Sequence, residues 1–228
     1  MRFQGRPKAS DLPLDLRLDV KAFFGAFKRV CEQADALLFS AGDPKAIDEA
    51  CRQASVGKRT PPALYVHASA LAQLQPVLRV YEGCARAYIG TIEGANLVKL
   101  HRGEPQISYL AYPEFERNPH PAFERSLTVH LQTFRLREID YSERENPPVL
   151  HRKEAFVGAE FPGREKFAQL TRQEERAGLF EEATRIGTRS GWQEALQERG
   201  VRLRGHRLAR AEPIQNANLD GDLSISNT

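Results

Sequence analysis

The side chains of this sequence that could do chemistry are mostly basic or imidazole. His151, Arg152 and Lys153 read H-R-K. A histidine two residues before a lysine opens the phosphodiesterase pattern H-x-K-x-x-x-x-D, in which the imidazole attacks phosphorus and the ammonium holds its oxygens. The acid of that pattern falls on Gly158, so His151 and Lys153 are catalytic candidates for an incomplete motif. A second concentration runs from Arg199 to Arg210, with Arg202, Arg204, His206 and Arg207 between them and no acid in the span. Such a run suits phosphate contacts, which release counterions from nucleic acid. It equally suits a solvated edge strand, where exposed bases discourage aggregation. Lys99, His101 and Arg102 form a third group, and Arg117 and His120 lie nearby in sequence. Lys99, His101, Arg102, Arg152, Lys153, Arg202, Arg204 and Arg207 are therefore the candidate nucleic-acid-binding residues. Their convergence requires that the strand carrying Lys99 share a sheet with the later segment at His151. Singly, His101 reads as a solvent-facing strand residue and His120, within N-P-H-P, as a turn residue held by its prolines.

Other motifs fail on spacing. Gly57-Lys58 lacks the upstream glycine of a phosphate loop, because that position is Arg52. The histidines are too scattered for H-E-x-x-H, and neither an EF-hand loop nor G-x-S-x-G occurs. A nuclease D/E-x-K is not met after Glu93. Gly83, Gly90 and Gly94 follow a helical pattern and are too widely spaced for the glycine turn of an S-adenosylmethionine or dinucleotide site. No cofactor or metal site is evident from the residues.

The elements that must position these groups follow from periodicity. Leu16, Val20, Phe23, Phe24, Phe27, Val30, Cys31, Ala34, Leu37 and Leu38 recur at helical spacing and predict one long amphipathic helix ending near Gly42. Asp43 and Pro44 then cap and open a second helix to about Ala54. Phe23, Phe24 and Phe27 form an aromatic ridge for the core or a partner helix. Residues 56–62 read as a linker and Ala63 to Val66 as a strand. Ser69 opens a helix to Gly90 that Pro76 kinks or splits.

The centre of the sequence is a hairpin. Residues 96–101 and 106–111 flank a four-residue loop, which sets Leu100 opposite Ile107 and Val98 opposite Tyr109 on an apolar face. The other face sets Lys99 beside Ser108 and His101 beside Gln106. Residues 127–139 read as one extended segment whose phase slips near Thr133, as at a bulge. Residues 149–153 read as a short basic strand. A helix follows Gly163, with Thr171 and Glu174 as a capping box and Gly178 as its stop. Ser190 and Gln193 suggest another capping box. Residues 201–207 alternate as a strand with Arg202, Arg204 and His206 on one face.

Composition fits this picture. The chain has 228 residues, 33 Lys and Arg against 30 Asp and Glu, and 41% hydrophobic residues, which is room for a substantial core. Cys31, Cys51 and Cys84 make no paired motif, and no apolar run is long enough to span a bilayer, so a reducing, cytoplasmic setting without membrane insertion is expected. The expected class is α+β: a basic flexible start at residues 1–12, a helical part at 13–55, an α+β unit at 56–210 with a central mixed or antiparallel sheet, C-terminal helices and a basic strand, and a disordered tail at 211–228.

The segments DLPLDLRLDVKAFFGAF, LLFSAGDP, ALYVHASAL, LRVYEGCA, EGANLVKLH and NPPVLHRKE, in that order over about residues 10–210, resemble the family of DNA phosphorothioation-associated methyltransferases. The resemblance implies a bacterial protein of DNA sulfur modification and restriction, acting on DNA beside other proteins of such a system. This chain corresponds to the region accompanying that family's S-adenosylmethionine-binding domain, whose glycine-rich motif it lacks. S-adenosylmethionine is expected only if the family's activity extends to this chain. The expected function is a DNA-associated accessory or recognition domain. Its alternatives are a DNA methyltransferase, a nucleic-acid phosphodiesterase, and a protein-interaction module docking through the Phe-rich helix.

Overall fold

A computed structural model describes residues 6–90 and 92–211. Most of the expected flexible start lies within them, whereas residues 212–228 of the expected tail lie outside. The fold is mixed α+β. Its centre is a six-stranded antiparallel meander, β1 (Lys58–Arg59), β2 (Ala63–His67), β3 (Leu97–His101), β4 (Gln106–Ala111), β5 (Arg125–His130) and β6 (Leu136–Asp140), with strands in sequence order. The hairpin register is as expected, with Leu100 opposite Ile107, Val98 opposite Tyr109 and Lys99 opposite Ser108.

One face of this sheet is apolar because alternate residues of every central strand are: Leu64, Val66, Val98, Leu100, Ile107, Tyr109 and Val129. It is covered by α3 (Pro44–Gln53) and α4 (Pro76–Ile89), which contribute Ile47, Ala50, Cys51, Leu78, Tyr81 and Ala85, while α2 (Phe27–Ala41) packs on these two helices and adds Ala41. Each Leu, Ile or Val side chain fully removed from water contributes roughly 1.5–3 kcal/mol. Asp43 caps α3 by accepting from the Lys45 amide at 2.9 Å, with Pro44 in the first turn. Pro76 does split its helix: a 3-10 turn (Ala68–Gln73) precedes α4. The expected single N-terminal helix is also divided, into α1 (Leu14–Asp19), a π-helical turn (Val20–Phe24) and α2. Gly25, at φ 74°, breaks the hydrogen-bond ladder between them. Phe23 is 77% exposed rather than part of a packed ridge.

The C-terminal part packs over one end of the sheet's other face. It contains α5 (Arg164–Arg176), α6 (Arg189–Glu198) and a small hairpin of β7 (Val201–Leu203) and β8 (Leu208–Arg210). Phe115, Leu150, Phe156, Val157 and Phe167 close on Leu97 and Leu110 of the sheet. Several expectations are corrected here. Residues 127–139 are two strands, and the phase slip is the turn between them, where Phe134 takes φ 55°. Residues 149–153 are not a strand of the central sheet. Val149 makes one isolated bridge to Ala122, and Arg152 turns the chain at φ 57°. Thr171 and Glu174 lie inside α5, so they cap nothing, and α6 is capped by Thr188. Arg202, Arg204 and His206 do not share a strand face, because the chain reverses at residues 204–207 around Gly205.

Candidate nucleic-acid interface

Directly opposed residues of antiparallel strands share a face. From β1 to β6 the ladders place Lys58, Tyr65, Lys99, Ser108, Thr128 and Arg137 in one row across the sheet, on the face away from α2–α4. Gln106 and His130 are opposed in the next row, which His101 of β3 and Arg135, at the entrance to β6, extend. The row is set by the meander itself: the same alternation that sends Val98 and Leu100 to the core sends Lys99 and His101 outward. On β6 the alternation also separates charge. Arg135 and Arg137 line the open face, whereas Glu138 faces the helical side, where it meets Ile92, Ala95 and Leu127.

This open face forms a cleft of about 660 Å³ lined by Lys99, Arg135, Arg137, His101 and His130, with Gln106, Ser108 and Thr128 at its floor and Tyr65, Tyr112 and Phe123 at one end. No acidic side chain lines it. His101 Nε2 lies 3.0 Å from Ser108 Oγ, which lies 2.8 Å from Thr128 Oγ1, so one hydrogen-bonded chain crosses β3, β4 and β5. Burial, and then the Lys99 ammonium, push His101 down to about 4, leaving its imidazole neutral at pH 7. Lys58, Lys99, Arg135 and Arg137 are the Lys and Arg side chains of the face. None of these four has an ion-pair partner among the described residues.

The face continues onto the C-terminal part through aromatic rings. The Lys99 ammonium sits 5.5 Å from the Tyr65 ring, Tyr65 meets Phe156 edge-on at 6.4 Å, and Lys58 lies 5.3 Å from the Phe156 ring. Lys58 is lowered by burial and, next, by the charge of Arg152. Arg152 is held by Glu175 at 2.5 Å and stacked on Phe180 at 4.3 Å.

The other candidates are placed differently. Arg102 turns to the helical side, where its Nε donates to Asp48 at 2.6 Å and its Nη1 to the Thr60 and Pro61 carbonyls. Its role is to tie β3 to α3. Lys153 is 2% exposed, and its three protons are taken by the carbonyls of Phe115 (2.6 Å) and Asn118 (2.5 Å) and by His206 Nε2 (3.0 Å). His151 donates from Nε2 to the Ile186 carbonyl at 2.8 Å and packs against His120 and Trp192. The H-x-K pair is therefore built into the interior and aims at no cleft. Arg204 and Arg207 are exposed at the β7–β8 turn, which is held by their reciprocal backbone hydrogen bonds, and Arg202 is half-buried on β7.

Sequence reasoning found Lys99, His101 and the polar partners Gln106 and Ser108, but missed Lys58, Thr128, His130, Arg135 and Arg137. Lys58 was read as linker. The alternation of Arg135 and Arg137 with Glu138 and Asp140 was the available signal for the last strand.

The described residues do not fit S-adenosylmethionine in the manner of a doubly wound sheet. Every ladder is antiparallel, so none leads from a parallel strand through a glycine turn into a helix. No cluster of metal-ligating side chains forms among them, and no helix of theirs is long and apolar enough to cross a membrane. No protein-family model, curated protein or solved structure matches this chain.

Proposed function

We propose that this protein is a DNA-associated accessory or recognition domain that docks on DNA through the open face of its meander. The observation that carries the reading is the row Lys58, Lys99 and Arg137, extended by Arg135, on a face whose cleft has no acid. Cations interspersed with hydroxyl and amide groups are the partners that phosphate oxygens take. The exposed Arg204 and Arg207 supply further positive charge on the C-terminal part. The narrower role, within a bacterial DNA phosphorothioation and restriction system beside other proteins of that system, rests on the resemblance of the sequence segments. A methyltransferase or phosphodiesterase activity has less support, given the antiparallel sheet and the internal placement of His151 and Lys153.

The test is DNA binding by fluorescence anisotropy in moderate salt, comparing the native protein with Lys99→Gln/Arg137→Gln. Loss of two phosphate contacts is expected to weaken binding at least tenfold and to flatten its salt dependence. Equal affinity of the two proteins would remove the open face from the interface.

A further inference from the structure

The open face also bears on which form of nucleic acid it takes. Proteins that hold single strands offer exposed aromatic rings on which unstacked bases lie, each worth about 1–3 kcal/mol. On this face the lining rings Tyr65, Tyr112 and Phe123 are half-buried and packed on other groups rather than standing free. Tyr65 already has the Lys99 ammonium over its ring at 5.5 Å and Phe156 at its edge. Tyr112 packs on Phe123 at 5.3 Å, and Phe123 packs on Tyr141 at 4.8 Å. Phe134, though 53% exposed, packs on Tyr88 of α4, on the opposite side of the sheet.

What the face does offer is charge and hydrogen bonds spread laterally. The row from Lys58 to Arg137 crosses all six strands. At about 4.8 Å per strand step this is an extent of about 24 Å. Each strand of a duplex presents one phosphate per roughly 3.4 Å of helix axis, so this length can meet several of them. Thr128 and Gln106, the latter also donating to Glu104, lie between the cations and can donate to phosphate oxygens, and a face about 24 Å across is wider than the roughly 12 Å major groove in which base edges are read.

We infer that the open face, on the DNA-binding reading above, takes a duplex, whose bases remain stacked on one another, and grips it by its phosphates without regard to sequence. The neutral chain His101, Ser108 and Thr128 then lies along the backbone between the flanking cations Lys99 and Arg137.

Anisotropy titrations with a labelled duplex, one of its strands alone, an unrelated duplex and a duplex RNA test this. The DNA duplex is expected to bind at least tenfold more tightly than the strand, and the two DNA sequences to agree within about twofold. Four phosphate contacts predict a slope of log affinity against log salt of about −3.6, reduced by about one in Arg137→Gln. Arg137 is exposed, so this variant is expected to fold normally. Tighter binding of the single strand, together with its loss in Tyr65→Leu, would overturn the inference and leave nucleic-acid binding standing. Binding to none of the ligands would overturn both. Preference for duplex RNA would keep the duplex inference and overturn the choice of DNA.

Discussion

His120 and Glu174 meet at 2.7 Å with side chains 5% and 1% exposed, and the pair is a neutral imidazole hydrogen-bonded to a protonated carboxyl. His120 Nδ1 faces the Leu150 carbonyl at 3.2 Å and so carries the ring hydrogen, which leaves Nε2 as an acceptor and the Glu174 carboxyl as its donor. Burial supports the same assignment from both sides, pushing Glu174 up to about 8 and His120 down to about 4.

A pH dependence follows from each partner. Glu174 is raised from 4.5, so its contribution to stability is fully present below pH 4.5 and is lost as pH rises through about 8. His120 is lowered from 6.5, so its contribution is present above pH 6.5 and is lost as pH falls through about 4. Glu174→Gln keeps a donor for His120 and cannot ionise. Thermal melts are expected to show the native protein losing roughly 1 kcal/mol per pH unit from this carboxyl between pH 5 and 8. The variant is expected to lack that component. A native protein with no such loss between pH 5 and 8, and a variant destabilised most between about pH 4.5 and 6.5, would instead indicate a charged pair.

How much of this was legible in the sequence depends on the range of the interactions. The hairpin register and the outward placement of Lys99 and His101 follow from period-two alternation, which is local. Pro76 and the Asp43–Pro44 start of α3 were legible for the same reason. The turn between β5 and β6 is not legible because the alternation changes phase near Thr133, and a tight turn and a bulge leave the same trace. Lys153 and Glu174 look like surface residues in sequence. Their burial is set by Phe115, Asn118, His120 and His206, which are distant along the chain.

Lys153 therefore tests structure rather than catalysis. Replacing it by Met keeps the apolar stem over the Phe167 ring but leaves the Phe115 and Asn118 carbonyls without their donor. The expected cost is about 3 kcal/mol in denaturant unfolding. His206 would also lose the contact that holds the β7–β8 turn against the 3-10 turn at residues 153–155. A fully stable Lys153→Met protein would show that the ammonium is not needed for packing.

Arg102 separates stability from binding. It is held by Asp48 and by the Thr60 and Pro61 carbonyls on the side of the sheet away from the open face. Arg102→Ala is expected to lower the melting temperature by a few degrees, while DNA affinity, measured well below the transition, stays within about twofold of native. A tenfold loss of affinity in a folded variant would place Arg102 at the interface.

Gly57 and Gly83 make an opposed pair of tests. Gly57 sits just before β1 at φ +94°, and a Cβ there would come within 2.7 Å of both the Tyr65 carbonyl oxygen and Val66 Cγ2. The first of these is backbone of β2, the partner of β1, so it cannot swing aside without parting the two strands. Gly57→Ala is expected to cost about 2 kcal/mol from backbone strain and crowding together. It should also weaken DNA binding, because Lys58 is the next residue and moves with β1. Gly83 lies within α4, and a Cβ there meets nothing within 4 Å. Gly83→Ala is expected to stabilise the protein by roughly 0.5–1 kcal/mol, by reducing the freedom of the unfolded chain and favouring helix. Chemical denaturation of both variants, with anisotropy on the same preparations, checks the pair. A Gly57→Ala protein as stable as native would show that β1 is free to shift, and the row that begins at Lys58 would lose its fixed end.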